Sequence, residues 1–198
     1  HSGRAPRFLN PMHMASDLVA SVREVQRELS ETGPREEGYG VPYSTVHVGV
    51  IQGGRALNIV PSECELSFEI RHVSEDQPEE ILARVLQRLV ERVAADAVHP
   101  EAPLPDIQLT NSYPSLSTPE DSEAVRLLSG LLPPGTRCTK VDFGSEGGLF
   151  KQSWRETPVL ICGPGSIEVA HKADEYVELS QIGACDRMMA GLVHFLCR

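Results

Sequence analysis

The sequence predicts an α/β protein in which a ferredoxin-like α+β layer, with its split β-α-β order, is followed by a second α/β layer. Residues 63–71 alternate between apolar and polar side chains, which is typical of a strand covered on one face. An amphipathic helix pattern begins soon afterwards, at Pro78. Residues 99–119 then carry five prolines, and the order of the predicted elements changes beyond them. We therefore expect two domains, residues 1–112 and residues 113–198.

The first domain is predicted to run helix, strand, strand, helix, strand. Asn10 followed by Pro11 is typical of a helix N-cap with proline in the first turn, and apolar residues then recur at helical spacing. In the first predicted strand we expect Val46, Val48 and Val50 to share one side. The predicted elements are a helix over residues 11–29, strands over 44–51 and 63–71, a helix over 78–98 and a strand over 106–111.

The second domain is predicted to alternate helices with short strands, as α/β layers do. Amphipathic spacing indicates the helices, and short apolar runs indicate the strands. The strand that ends at Ile161 is expected to be buried and to lead into a glycine-containing loop. The predicted elements are helices over residues 119–132, 146–152 and 181–197 and strands over 137–143 and 157–161.

Composition and charge exclude several classes of function. The chain has 198 residues, 40% of them apolar, and a net charge of −10. We expect no nucleic-acid partner, because binding phosphate requires a basic surface. No apolar run approaches the ~18 residues that a membrane span needs, so we expect no membrane partner. The five cysteines form no C-x-x-C pair, which indicates neither a disulfide framework nor a zinc ribbon and favours a reducing cytoplasm.

The most informative segment is the glycine-broken loop over residues 162–177, which follows the predicted strand ending at Ile161. It carries His171, with Asp174 and Glu175 close behind, at the position where α/β enzymes hold their chemistry. The two acids could orient a metal-binding imidazole. A single histidine is more often structural, however, and a catalytic zinc needs three donors, while the other histidines show no H-x-x-H spacing. On the residues alone both interpretations stay open.

Three further side chains suit contacts with a substrate. Glu146 is either a helix-start acid behind an N-cap at Ser145 or an acid at the same rim as His171, able to meet a cation. Arg71 falls on the polar side of its strand, so it is either simply exposed or faces a cleft together with Asn58. An arginine fork and an asparagine amide would suit a carboxylate.

Four segments of the chain match the pattern of a known family. They are G-P-G-S-I-E-V-A-H-K-A-D-E-Y-V over residues 163–177, S-E-G over 145–147, L-N-I-V-P over 57–61 and F-E-I-R over 68–71. With these segments the chain resembles the dizinc deacylases and exopeptidases, the family of acetylornithine deacetylase, succinyl-diaminopimelate desuccinylase and carboxypeptidase G. The resemblance covers essentially the whole chain. Its segment over residues 163–177 is specific, and its strand segments are moderately so.

The resemblance implies metal-dependent hydrolysis of the amide bond of N-acyl amino acids, above all of N-acetylornithine to ornithine and acetate in arginine biosynthesis. A complete active site would hold two zinc ions, with cobalt as an alternative, and His171 would be the last protein ligand of one of them. Asn58 and Arg71 would hold the substrate carboxylate. Glu146 and Gly165 would also contact the substrate.

The resemblance also implies a homodimer, formed through a lid domain that corresponds to residues 1–112. His1 would be the lid histidine that reaches into the neighbouring subunit's active site and stabilises the oxyanion. The chain departs from the family pattern because the other metal ligands, the general base and the lid's first strand are absent from it. We therefore expect a lid plus the C-terminal part of a catalytic domain, residues 113–198, without activity by itself.

Two alternatives to a hydrolase stay open. The chain could be an autonomous homodimerisation module without any chemistry. It could also be a non-catalytic binding protein of the same ancestry, which the absent ligands would suit.

Overall fold

The computed structural model describes residues 1–96, 98–170 and 172–197. The chain forms two compact units, His1–Thr110 and Asn111–Arg198. Both helices and strands are present, in keeping with the predicted α/β class. The first unit contains a 3₁₀ helix (Ser2–Arg7), α1 (Pro11–Thr32), β1 (Thr45–Gly53), β2 (Cys64–Arg71) and α2 (Pro78–Ala94), and the second contains α3 (Glu123–Ser129), α4 (Gly147–Ser153) and α5 (Leu179–Leu196).

The two long helices of the first unit begin where the sequence predicts. The side chain of Asn10 accepts a 3.0 Å hydrogen bond from the backbone N–H of Met12, and Pro11 occupies the first turn of α1. Pro78 likewise opens α2, and two glutamates follow in its first turn, where the helix dipole favours acids. Proline in the first turn is thus common to both helices, and α1 alone adds a side-chain cap, because Gln77 before α2 makes no capping hydrogen bond.

The core of the first unit lies between these helices and one face of the β1–β2 hairpin. Leu29, Ile81 and Leu89 are its largest completely buried side chains. From the hairpin, Val46 is buried, and Phe68 and Ile70 pack against the same cluster. The opposite face of β2 is polar and exposed.

The hairpin contains a β-bulge that changes which side chains face the core. The antiparallel pairing runs from Thr45 opposite Arg71 to Gly53 opposite Cys64, with an irregularity between Val48 and Val50. Because side chains alternate along a strand, one extra residue moves the following side chains to the other face. Val50 consequently lies opposite Ser67 and is exposed, so the prediction that it shares a side with Val46 and Val48 is wrong.

Three predicted strands do not form in the structure, namely residues 106–111, 137–143 and 157–161. A strand exists only through pairing, and β1 and β2 pair with each other in the two-stranded sheet that the described residues contain. A buried strand of an α/β layer needs neighbouring strands and helices on both faces. Among the described residues, neither 106–111 nor the two segments of the second unit, 137–143 and 157–161, has a paired strand beside it.

The second unit buries little apolar surface by itself. Val125 of α3 and Met188 of α5 are its buried apolar side chains among the described residues. Large side chains such as Trp154, Leu179 and Phe195 are more than half exposed. Across the part of the chain that the structure describes, no helix combines the length and the apolar character that crossing a membrane requires.

Candidate substrate-binding site

Arg71 ends β2 and presents its guanidinium on the polar face of the hairpin. Its Nε donates to Oε1 of Glu69 at 3.0 Å, and its Nη2 donates to Oε2 of the same carboxylate at 3.3 Å. The two side chains share a face because they are two residues apart on a strand. Both are about half exposed, at 52% and 53%. The arginine fork therefore holds a carboxylate in bidentate geometry at the protein surface.

Asn58 lies in the loop that joins β1 to β2. Its backbone carbonyl accepts a 3.0 Å hydrogen bond from the backbone N–H of Ser2. Asn58 is exposed, and the apolar side chains of Leu57 and Ile59 on either side of it are exposed as well. The loop thus presents an amide between two apolar residues.

His1 caps the N-terminal 3₁₀ helix. Its Nδ1 accepts a 3.1 Å hydrogen bond from the backbone N–H of Gly3. A ring nitrogen that accepts a hydrogen bond carries no proton, so the neutral imidazole has its proton on Nε2. Nε2 is then a hydrogen-bond donor, which is the role that oxyanion stabilisation requires.

The structure brings His1 and Asn58 together through the Ser2 bond, but it separates both from Arg71. The Asn58 loop follows Gly53 at one end of the hairpin, whereas Arg71 lies opposite Thr45 at the other end. At about 3.4 Å per residue, β2 spans roughly 24 Å. Leu57 is fully exposed, and the polar side chains of β2 are exposed as well.

Glu146 and Gly165 belong to the second unit. Glu146 is the N-cap of α4 and is exposed, and its side chain makes no capping hydrogen bond. The predicted N-cap at Ser145 is therefore one residue early, although the Ser145 hydroxyl accepts a 3.3 Å hydrogen bond from the N–H of Gly147. Gly165 has a φ of 114°, which favours glycine, and its N–H donates to Oε1 of Gln181 at 2.6 Å.

The predicted metal ligand, His171, lies outside the described residues. Within residues 1–96, 98–170 and 172–197, no three histidine, cysteine, aspartate or glutamate side chains come together in a way that could hold a metal ion. These residues alone therefore do not fit a zinc or cobalt centre, which needs at least three protein donors.

Cys162, in the loop that follows residues 157–161, is a protonated thiol and not an activated nucleophile. All five are free thiols. Burial raises the pKa of the Cys162 thiol, to which nearby Cys185 also contributes, and the Cys162 Sγ lies 3.5 Å from the Met188 Sδ. A raised pKa keeps this thiol protonated, which is opposite to what a reactive cysteine needs.

Glu69 is a member of the site that the sequence analysis did not single out. The signal for it was present, because strict alternation along residues 63–71 puts Glu69 on the same face as Arg71. An acid two residues before an arginine on an exposed strand face is placed to form such an ion pair.

Comparisons with known proteins show what the chain is similar to. Residues 1–97 match the family model of the peptidase dimerisation domain. Acetylornithine deacetylase of Myxococcus xanthus is 33% identical over 98% of the chain, and that of Photorhabdus laumondii is 27% identical over the whole chain. The chain spans about half of the length of these relatives, 50% and 49%.

A solved structure is similar to the chain in fold. The crystal structure of the aminopeptidase PepT from Bacillus cereus matches all of this chain and 48% of its own, with a TM-score of 0.66 and 16% identity. This similarity confirms the α/β fold class. The resemblance of the whole chain to acetylornithine deacetylases, which the sequence predicted, is confirmed, and its first 97 residues are similar to a peptidase dimerisation domain.

Proposed function

We propose that this chain is part of a longer hydrolase that cleaves the amide bond of N-acyl amino acids, with N-acetylornithine as substrate and arginine biosynthesis as its context. The similarity to acetylornithine deacetylases supports this proposal. The observation that carries it is the bidentate hold of Arg71 on a carboxylate, with contacts of 3.0 and 3.3 Å. An N-acyl amino acid would offer its α-carboxylate to the same fork.

A homodimer would explain why Asn58 and Arg71 lie at opposite ends of one hairpin. We infer that His1 and Asn58 act together in the partner subunit's site, whereas Arg71 binds the carboxylate in the site of its own chain. The match of residues 1–97 to a peptidase dimerisation domain supports the dimer. The exposed Leu57 and Ile59 beside Asn58 provide apolar surface for such docking.

The two parts of the chain would then have different tasks. Residues 1–112 would be the lid through which the dimer forms, and residues 113–198 would be the C-terminal part of the catalytic domain. Glu146 is exposed and could meet the cationic side chain of ornithine, while Gly165 would line the site through its backbone. The five free thiols are compatible with a cytoplasmic location, which we include in the proposal.

The metal part of the proposal concerns His171, a residue outside those described. It is expected to bind zinc, or cobalt as the alternative, with further donors from the half of the longer protein that this chain does not span. A bound zinc ion polarises a carbonyl group and lowers the pKa of water. The described residues bring no donor set together, and the chain alone is therefore expected to be inactive.

A second candidate function is a homodimerisation module without chemistry. The match of residues 1–97 to a dimerisation domain, and the lack of a metal-binding cluster among the described residues, favour it. Zinc content of the longer protein distinguishes the candidates, because both are expected to be dimers and only the hydrolase would bind metal.

The decisive experiment is the substitution His171→Ala in the longer protein. We expect loss of zinc and a fall in activity towards N-acetylornithine of at least ~100-fold. His13→Ala, at an exposed position in the first unit, is the control and should change neither. Unchanged zinc content in the His171→Ala protein would refute the assignment.

A further inference from the structure

We propose that Glu69 is an internal competitor for the Arg71 fork and thereby sets how tightly the site takes a substrate carboxylate. The proposal rests on the carboxylate-binding role of Arg71 given above. Glu69 has no part in that role; it is the group that the substrate must replace.

The geometry of the ion pair carries the inference. Nε and Nη2 of Arg71 each donate to a different oxygen of Glu69, at 3.0 and 3.3 Å. This parallel arrangement is the one that a ligand carboxylate would adopt on the same edge of the guanidinium. One edge cannot hold two carboxylates in this way. Binding of a substrate there must therefore release Glu69.

The exposure of the pair makes the exchange easy. Both side chains are about half exposed, at 52% and 53%, so water screens their attraction and the net gain from the pair is small. A substrate that also makes contacts elsewhere would displace Glu69, whereas a small monovalent acid would compete with it on nearly equal terms. Glu69 thus raises the concentration that a weak carboxylate ligand needs in order to bind Arg71.

The released carboxylate would not be left buried. Glu69 lies opposite His47 in the β1–β2 register, on the exposed face of the hairpin. Water and the imidazole of His47 can therefore donate hydrogen bonds to the Glu69 carboxylate in place of the guanidinium. Because no charge is stranded in an apolar environment, the exchange meets no large desolvation cost.

The test is Glu69→Gln in the whole chain, which removes the charge and keeps the size of the side chain. The probe is sodium N-acetylglycinate, and the readout is the chemical shift of the Arg71 Nε–Hε group in ¹⁵N–¹H spectra. We expect the apparent dissociation constant to fall about two- to fivefold, as loss of a surface ion pair implies. N-Acetylglycinamide, which has no carboxylate, and sodium chloride at equal ionic strength should leave the resonance unchanged.

Two further variants make the outcomes distinct. Glu65→Gln removes the same charge from the same face of β2, where Glu65 lies opposite Gln52, and should leave the affinity within error of the parent chain. Arg71→Lys assigns the resonance and should abolish the response. The role of Glu69 is overturned if Glu65→Gln raises the affinity for N-acetylglycinate as much as Glu69→Gln does. It is also overturned if Glu69→Gln leaves that affinity unchanged while Arg71 still responds to the probe. Both outcomes leave the proposed function intact. An Arg71 resonance that ignores the probe in every variant overturns both.

Discussion

The backbone N–H of Ser2 donates a 3.0 Å hydrogen bond to the backbone carbonyl of Asn58. This bond ties the N-terminal 3₁₀ helix to the loop between β1 and β2, so that His1 and Asn58 form one structural group. The exposed Leu57 stands next to that group. Polar groups and an apolar side chain in the same place suit contact with a second copy of the chain.

Leu57→Asp should weaken the proposed dimer. Leu57 is fully exposed in the isolated chain, and a charge at an apolar contact would oppose docking, so we expect the dimer dissociation constant to rise at least ~10-fold. Sedimentation equilibrium measures this constant. Leu109→Asp is the control, because Leu109 is 82% exposed in the same unit. Equal dimer dissociation constants for the two variants would show that Leu57 is not part of the interface.

Leu89→Ala should destabilise the first unit by about 2–5 kcal/mol. Leu89 is completely buried between α1, α2 and the hairpin, so truncation leaves a cavity in the only core that this unit has among its described residues. Urea unfolding followed by circular dichroism gives the free energy. The neighbouring Val90 is 45% exposed, and Val90→Ala should change stability by no more than about 0.5 kcal/mol. A small effect at Leu89 would contradict the described core.

Elements that depend on local interactions could be predicted from the sequence. The Asn10 cap and the prolines that open α1 and α2 act within one turn, and both helices begin as predicted. The bulge beside Gly49 had a weak signal, a lone glycine inside a strand pattern. It was missed because the valine alternation through that point looked regular.

Elements that depend on distant partners could not be predicted in the same way. Residues 157–161 have the composition of a buried strand, yet composition does not supply the neighbours that a strand must pair with. For the candidate site, the strand pattern already put Arg71 on the polar face, where the structure has it. The Ser2–Asn58 bond joins residues 56 positions apart, and no periodic signal in the sequence indicates such a contact.

The stability of the first unit should depend on the protonation of Asp96. Hydrogen bonds from the backbone N–H groups of Val98 and then His99 lower the pKa of this carboxyl below its ordinary value of 3.8. The folded state therefore binds its proton less readily than the unfolded state. The stabilisation is complete above the pKa that Asp96 has in the unfolded state. It is lost as the pH falls through the lower pKa that Asp96 has in the folded state.

Asp96→Ala tests this dependence. The variant should be less stable than the parent chain at pH 7, and the two stability curves should converge as the pH falls below 3.8, the ordinary pKa of the group. Urea unfolding at a series of pH values provides both curves. A constant difference between them over the whole range would show that the carboxylate charge contributes nothing.

Gly148→Ala should destabilise the second unit and disturb Glu146 at the start of α4. A methyl group at residue 148 would come within 1.9 Å of the carbonyl oxygen of Pro114, which is backbone and cannot rotate away. Relieving that clash requires α4 and the Pro114 segment to separate, at a cost of about 1–3 kcal/mol. Hydrogen exchange of the amides in α4 should accelerate accordingly. Gly163→Ala is the matched control, because no atom lies within 4 Å of the added methyl group, and equal protection of α4 in both variants would contradict the close contact.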